Sequence, residues 1–482
     1  MKLYDILRMS AGGKGFITEW TLTVDTQAGR TITLPLYDSG TFNCTVDWGD
    51  GNTSTITTYD DADRIHEYAS IGAYEVEIKG ECPAWSFNNG GDKLKITDII
   101  YWGDSGAFGG FEYLTDGFYG CTNLKTTGEG KILAKSGGST FAFTTMMFYN
   151  CSSLTSITDG LFDNCTGSLT FYYTFASCTG ITSLPENLFK YNISVTGYHC
   201  FERTFSGCTG ITSLPENLFK YNISVTEFTL TFLNCTGIST IHKNIFKYNV
   251  NVTKFKSTFE GCTGIILSTL DADLFRYNTA VTDFTSTFKS CTGLTSVTSD
   301  IFKYNVSVSK FDNIFQSCTN IVSLPTDIFR YNTAVTSFYM GFTTCSKLAS
   351  LPTDIFRYNT EVTTFAQTFN VCSLLATVPA NLFKYNTKCT NFNYTFRFCV
   401  KLQQNSEIFY STGDEATRFL NQSVNFANCF LRTSFTGTQG TAPALWDCTY
   451  GTGTPTTTDC WNGAGNSLTS LDNYGDIPVG WL

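Results

Sequence analysis

One interval organises this chain. Twelve cysteines stand at positions 121, 151, 178, 208, 235, 262, 291, 318, 345, 372, 399 and 429, separated by 27, 29 or 30 residues. A Phe lies three residues before each, from Phe118 to Phe426, and a Leu or Ile three after all but the last, from Leu124 to Leu402. A second Phe precedes nine consecutive cysteines by seven residues, from Phe171 to Phe392. A third closes a Leu/Ile-Phe pair at 188–189, 218–219, 245–246 and onward to 408–409. The unit reads approximately F-x-x-T-F-x-x-C-T-G-L-T-S-L-P-x-x-L/I-F-K/R-Y-N-x-x-V-T-x.

A unit this short cannot bury its own apolar face, so successive units must stack and set like residues over like. The expected internal ladder is Phe205 and Cys208, Phe232 and Cys235, Phe259 and Cys262, Phe288 and Cys291, Phe315 and Cys318, Phe342 and Cys345, and Phe369 and Cys372. At a strand spacing of roughly 4.7–4.9 Å, about a dozen rungs make a rod on the order of 60 Å long. The repeated cysteine reads as a small, weakly polar core residue. Disulfides between rungs and a bound metal are the alternatives, but no repeat cysteine forms a C-x-x-C pair, which argues against zinc.

Residues 184–192, Leu-Pro-Glu-Asn-Leu-Phe-Lys-Tyr-Asn, carry the signals of a short helix. Pro185 suits the first helical position, Glu186 and Lys190 match the two ends of the helix dipole, and Asn192 suits a left-handed stop. The base recurs as Lys190, Lys220, Lys247, Arg276, Lys303, Arg330, Arg357 and Lys384. Two readings are open: a basic stripe gripping an anionic glycan or lipid, or helix-end electrostatics with pairing to acids on neighbouring rungs, the reading favoured. An extended Val-Thr-x-Phe piece follows (335–338), then a turn through Phe342 to Cys345 and a short strand around Leu324 and its equivalents. Threonines at matching positions are expected to form an exposed hydroxyl ladder.

The unit resembles the BspA-type leucine-rich repeats of bacterial and protist surface proteins and of some bacteriophage proteins. The residues that carry the likeness are F-x-x-C-T-G-L-T-S-L-P, over about 108–482. The resemblance implies a leucine-rich-repeat-like solenoid of short strands and short helices, about a dozen rungs long. It also implies binding surfaces for host proteins, glycans or other cells in place of catalysis.

The ends follow other patterns. Within residues 16–80, the Trp-Gly-Asp-Gly of 48–51 and the alternating strand from His66 to Val76 resemble a PKD-type Ig-like module, which implies a small all-β sandwich acting as spacer or docking unit. Asp47, Asp50, Asp60, Asp61 and Asp63 invite a calcium reading, with a solvated acidic loop the favoured one. Residues 81–120, with Leu94, Ile96, Ile99 and Ile100, are expected to cap the array and supply its first rung, residues 121–430 to form the solenoid, and residues 431–482 to form a degenerate last rung and cap. Pro443 to Trp446 echoes Pro-x-x-Leu-Phe, and Cys460 with 468–471 echoes the cysteine motif. Cys448 and Cys460 are a possible pair in an oxidising setting. Residues 1–15 fit neither pattern and read as a segment docked on a partner.

Composition narrows function. With 42% hydrophobic and 15% aromatic residues the chain is no disordered protein. Its three histidines, His66, His199 and His242, are scattered, and identical rungs make ladders in place of one converging catalytic site. The expectation is no enzyme, no cofactor and no metal. The net charge of −10 is uneven: residues 1–120 hold 8 basic and 18 acidic groups, residues 181–400 hold 17 and 13. Without a dense basic patch, nucleic acid is not the expected partner. No apolar run reaches the roughly 18 residues of a membrane span, and Asp5 and Arg8 break any signal-peptide core. The expectation is therefore a structural or adhesion protein of a bacteriophage virion (fibre, spike or capsid decoration). It would dock on virion proteins through its N-terminal segment and Ig-like module, and meet a host-surface glycan or protein through the solenoid. A bacterial or protist cell-surface adhesin is the alternative.

Overall fold

A computed structural model describes residues 13–135, 143–167, 169–266, 270–432, 439–462 and 471–482. Most of the 1–15 segment and residues 468–470 of the expected final rung lie outside the described residues. The chain divides into two compact units, residues 1–227 with 231–238, and residues 228–230 with 239–482.

The first unit opens with strands β1 (Phe16–Leu22), β2 (Thr31–Thr33), β3 (Asn43–Asp47), β4 (Thr53–Ile56), β5 (Ile65–Glu67), β6 (Gly72–Glu81) and β7 (Ile96–Trp102). An antiparallel five-stranded sheet runs β4-β3-β6-β1-β7, and β2 pairs with β5. The sheet thus recruits β7 from beyond residue 80, where the sequence pattern places the cap. Alternation explains the strands: Phe16, Trp20, Val46, Val76 and Ile78 point into a core shared with Trp85 and Trp102. The Trp48 turn and the His66 strand pack on each other. The two rings stack at 4.8 Å, and the Tyr68 hydroxyl donates to the Trp48 carbonyl at 2.9 Å. Gly49, at φ +78°, passes so close to β6 that a Cβ would meet the Glu75 carbonyl oxygen at 2.4 Å.

Each rung is a ribbon of turns. Over 284–291 in the second unit, the amides of Thr287, Lys289 and Cys291 close turns onto the carbonyls of Phe284, Ser286 and Phe288, at 3.1–3.2 Å. The intervening amides, of Phe284, Ser286, Phe288 and Ser290, donate instead to Lys310, Asp312, Ile314 and Gln316 of the next rung, at 2.7–3.2 Å. Alternate amides therefore serve the turn and the stack, which leaves no buried N–H of this ribbon unpaired. Left-handed residues make the alternation possible: Ser286 (φ 57°) and Ser290 (φ 59°) here, Tyr173 (φ 54°) and Ser177 (φ 60°) in the first unit. The first unit repeats the pattern from Phe171, Tyr173, Phe175 and Ser177 to Cys200, Glu202, Thr204 and Ser206. The Val-Thr-x-Phe piece contributes one parallel bridge per rung, as in Asp283 to Lys310 to Ser337 to Thr364. Along it Thr336 and Thr363 hydroxyls each donate to the preceding rung at 3.1 Å.

The short helices are a correction. None of residues 184–192 is helical, and among the described residues between 113 and 440 there is no helix. Separate turns replace it: Lys190, Asn192 and Val195 amides bond the Asn187, Phe189 and Asn192 carbonyls. The reason is spacing. Equivalent Phe rings on adjacent rungs lie 5.4–6.4 Å apart (Phe148–Phe175, Phe288–Phe315, Phe302–Phe329, Phe275–Phe302), whereas packed helices need about 8–10 Å between axes. Pro185, Glu186 and Lys190 are then turn and surface residues, and Asn192 has a different task, described below.

Three Phe columns form the core of the second unit: Phe288–Phe315–Phe342–Phe369–Phe396, Phe255–Phe284–Phe311–Phe338–Phe365–Phe392, and Phe246–Phe275–Phe302–Phe329–Phe356–Phe383. The last two meet tilted, at 4.8 Å for Phe302–Phe311 and 4.6 Å for Phe365–Phe383, a favourable ring geometry. In the first unit, Phe118, Phe148, Phe175, Phe205 and Phe232 stack at 5.4–5.7 Å. All fourteen Phe and Cys positions of the expected ladder, from Phe205 to Cys372, are fully buried.

From Cys151 onward the column thiols donate to a carbonyl of the preceding rung. Cys151, Cys178 and Cys208 donate to the Phe118, Phe148 and Phe175 carbonyls at 3.0–3.1 Å, and Cys291, Cys318 and Cys345 to Phe259, Phe288 and Phe315 at 3.0–3.2 Å. Each such carbonyl also accepts its own rung's turn amide, so both its lone pairs are used. Cys429 leaves the column. Its neighbour Phe426 stacks on Phe392, so Cys429 occupies the place of Thr395. The rung from Phe392 to Phe426 is lengthened by an insertion at residues 411–417, which explains why Cys429 lacks the following Leu.

At the far end of the second unit Trp461 stacks on Phe430 at 5.4 Å and Trp481 lies over Phe426 at 6.0 Å, closing two columns with large rings. Cys448 and Cys460 are both buried, unbonded thiols.

Candidate binding face

The basic residues share their face with a tyrosine that follows each of them. In the second unit Arg276 lies 5.8 Å from the Tyr277 ring and 5.3 Å from Tyr304 of the next rung. Lys303 bridges Tyr304 and Tyr331 at 5.7 and 5.8 Å, Arg330 bridges Tyr331 and Tyr358 at 5.8 and 5.3 Å, and Arg357 bridges Tyr358 and Tyr385 at 5.9 and 5.1 Å. Lys247 does the same with Tyr248 and Tyr277. Cation and ring therefore alternate along the stack, each cation held between two faces, with about 0.5–1 kcal/mol available per exposed contact. In the first unit Lys190 and Lys220 sit 5.0 and 5.4 Å over Tyr191 and Tyr221.

The neutralising acids lie on the same rung as their base. Asp273, Asp327 and Asp354 stand 3.5, 3.6 and 3.4 Å from Arg276, Arg330 and Arg357. These pairs are exposed and contribute little to stability. Lys384 pairs with Asp414 of the insertion at 3.2 Å. Most of the tyrosines keep a third or more of their surface in solvent, 39% for Tyr277 and 40% for Tyr331, while Tyr221 and Tyr304 are half-buried.

Beneath this face runs an asparagine column. Asn305 Nδ2 donates to the Phe275 and Asn278 carbonyls at 3.1 and 2.9 Å, and Asn332, Asn359 and Asn386 repeat the pair on the rungs that follow. In the first unit Asn192 reaches the Phe162 and Cys165 carbonyls at 3.1 and 2.7 Å. The asparagine thus fastens each Lys/Arg-Tyr-Asn segment to its neighbour. Neither the tyrosine nor the asparagine is singled out by a charge-based reading; their fixed place after every base is the signal that locates them.

The acidic residues of the β-module are not gathered into a metal site. Asp61 accepts from Thr57 and from the Asp63 amide, Asp47 from the Gly49 amide, and Asp50 from Asn52 and His66. Burial pushes the Asp50 carboxyl up, but the hydrogen bonds from His66 and Asn52 outweigh it and hold the group below its ordinary range. Among the described residues no three His, Cys, Asp or Glu side chains group as metal ligands, and no helix is long and apolar enough to cross a membrane.

No protein-family model matches the chain, and no curated protein matches it. Among solved structures it is similar to Toll in the Drosophila Toll–Spatzle complex, at 14% identity over 70% of this chain and 51% of that one, with a TM-score of 0.29. It is similar to a leucine-rich repeat protein from Bacteroides ovatus, at 14% identity over 76% and 99%, with a TM-score of 0.25. A third likeness is to the TLR13–ssRNA13 complex, at 11% identity over 67% and 58%, with a TM-score of 0.20. The matched proteins are of leucine-rich-repeat type. The chain spans about half the length of the Toll chain it matches.

Proposed function

We propose that this chain is a non-enzymatic binding protein of a bacteriophage particle, a fibre, spike or decoration subunit of BspA-like leucine-rich-repeat type. In this reading the alternating cations and tyrosines meet an anionic glycan of the host surface. The observation that carries the reading is the recurrence of one Lys/Arg and one Tyr per rung, each exposed or half-buried, on a backbone that holds them at fixed spacing. Flat rings offer apolar contact to sugar faces, cations offer charge and hydrogen bonds to acidic groups, and repetition converts weak contacts into avidity. The buried thiols support assembly in a reducing cytoplasm, because most of those in the column complete their hydrogen bonding without oxidation. The β-module and the segment before it supply the docking end.

Affinity capture of the intact protein from its native source, with the co-purifying chains identified by mass spectrometry, tests the placement. Capsid or tail proteins are the expected companions. Cell-wall or membrane proteins with no viral partner would overturn it and establish a cell-surface adhesin.

A further inference from the structure

The five-stranded sheet has one closed edge and one open edge. On β7 the Lys125 and Glu129 amides donate to the Thr97 and Ile100 carbonyls at 3.0 and 2.9 Å, and the Trp102 amide donates to the Glu129 carbonyl at 3.3 Å, so the first rung continues the sheet. At the opposite edge lies β4, which pairs with β3 alone. The Trp48 amide donates to the Asn52 carbonyl at 3.1 Å, and the register runs unbroken from Asp47–Thr53 to Cys44–Ile56. Hydrogen-bonded pairs alternate along an antiparallel ladder, so Ser54 and Ile56 bond to β3, while the N–H and C=O of Thr53 and Thr55 face outward. Both threonines are exposed, and among the described residues nothing meets their outward backbone groups. The next outward amide, of Thr57, donates to the Asp61 carboxylate at 3.0 Å, which ends the open stretch.

Exposed edges are ordinarily blunted by a charge, a proline or a bulge on the strand itself. The Thr-Ser-Thr-Ile of β4 has none of these. The strand is nonetheless well anchored: Ser54 Oγ accepts from Trp48 Nε1 at 3.0 Å, and Ile56 is fully buried. Charge decides what pairs with it. Residues 43–67 hold six acids and one base, Arg64, so a second copy of the same edge is repelled and a basic strand attracted. Past Ile56 an open depression of about 300 Å³ is lined by Asp38, Phe42, Thr57, Tyr59 and Asp60, among others. Asp38 and Asp60 are exposed, and among the described residues neither carboxylate is taken up by a hydrogen bond or an ion pair.

We propose that β4 is a docking edge that takes an extended basic segment of a partner protein as a sixth strand. The segment's backbone pairs with Thr53 and Thr55, and one of its lysine or arginine side chains reaches the depression at Asp38 and Asp60. Main-chain bonds give affinity and the acids select the partner. The inference rests on the reading of the β-module as the docking end, but not on the kind of particle it docks to.

Fluorescence anisotropy of the full chain with a labelled, end-capped Lys-Thr-Val-Thr-Lys-Thr-Val-Lys peptide tests the assignment. Its controls are a Glu-for-Lys version and a fully N-methylated version, which keeps the charges but donates no backbone hydrogen bond. The Lys peptide is expected to bind saturably at one site, with each control at least about tenfold weaker. Thr55→Pro removes one outward N–H and leaves the bonds to β3 in place; it is expected to weaken the Lys peptide about tenfold at an unchanged melting temperature. The double variant Asp38→Asn, Asp60→Asn is expected to weaken it severalfold and to flatten its salt dependence. If Thr55→Pro proves unstable, the N-methylated peptide and the carboxylate variant decide alone. Absence of saturable Lys-peptide binding overturns the proposal, and so does an N-methylated peptide that binds as tightly, which would leave a plain electrostatic contact. Self-association of the chain that Thr55→Pro abolishes would also overturn it, by making a second copy the occupant. Failure here concerns the docking edge alone; capture of capsid or tail proteins decides the placement separately.

Discussion

At the scale of single residues, the rung is held by side chains that finish the hydrogen bonding of a neighbour's backbone. Asn332 is the clearest case, bonding at 3.0 and 2.9 Å to the Phe302 and Asn305 carbonyls, each of which also accepts a turn amide of its own rung. Asn332→Ala is expected to lower stability by about 1–3 kcal/mol, the loss of two buried hydrogen bonds, read as a lower urea midpoint. An unchanged midpoint would show that the column is ornamental. The thiols predict a pH dependence. Burial pushes Cys318 and Cys399 from an ordinary 9.0 up to about 12, and others of the column move the same way. Between those values the unfolded chain releases protons that the folded chain retains. Their stabilisation is therefore complete below pH 9 and falls as pH rises toward 12, by about 1.4 kcal/mol per pH unit for each such thiol. Urea midpoints at pH 8 and pH 10 check this, with the lower midpoint expected at pH 10.

At the scale of elements, the turn ribbon accounts for what the sequence discloses and what it hides. The period, the Phe columns and the buried cysteine are legible because stacking forces like residues into register. The helix signals at 184–192 mislead because Pro, an acid, a base and Asn also suit successive turns; only the rung spacing, too small for side-by-side helices, decides between them. Cys429 keeps the local Phe-x-x-Cys signature while belonging to another column, and only the ring stack on Phe392 reveals the shift. The tyrosine–cation alternation is invisible to a reading that counts charges alone. The ribbon makes its own prediction. Ser317 holds φ 61°. Ser317→Gly is expected to be near neutral and Ser317→Val to cost about 1–3 kcal/mol of left-handed strain, compared by chemical denaturation. A far-ultraviolet circular dichroism spectrum of the intact protein is expected to lack the helical minimum at about 222 nm, since the described residues between 113 and 440 contain no helix.

At the scale of the whole molecule, the two units use one rung design, and that economy bears on function. A repeated rung cannot readily make one converging catalytic site, but it repeats whatever its surface offers, and here the surface offers a cation beside a ring. The second unit's Lys/Arg-Tyr-Asn series is interrupted after Phe409, where Arg418 takes over the two carbonyls an asparagine would bind. The central claim is that the repeated face binds an anionic polymer, and the direct measurement compares the intact protein with its Lys303→Gln, Arg330→Gln, Arg357→Gln triple variant on an immobilised polyuronate surface across a salt series. The account predicts retention of the parent that weakens steeply with salt, and at least about tenfold loss in the triple variant at an unchanged melting temperature. Equal retention of the two proteins, or no salt-sensitive retention of the parent, would contradict it.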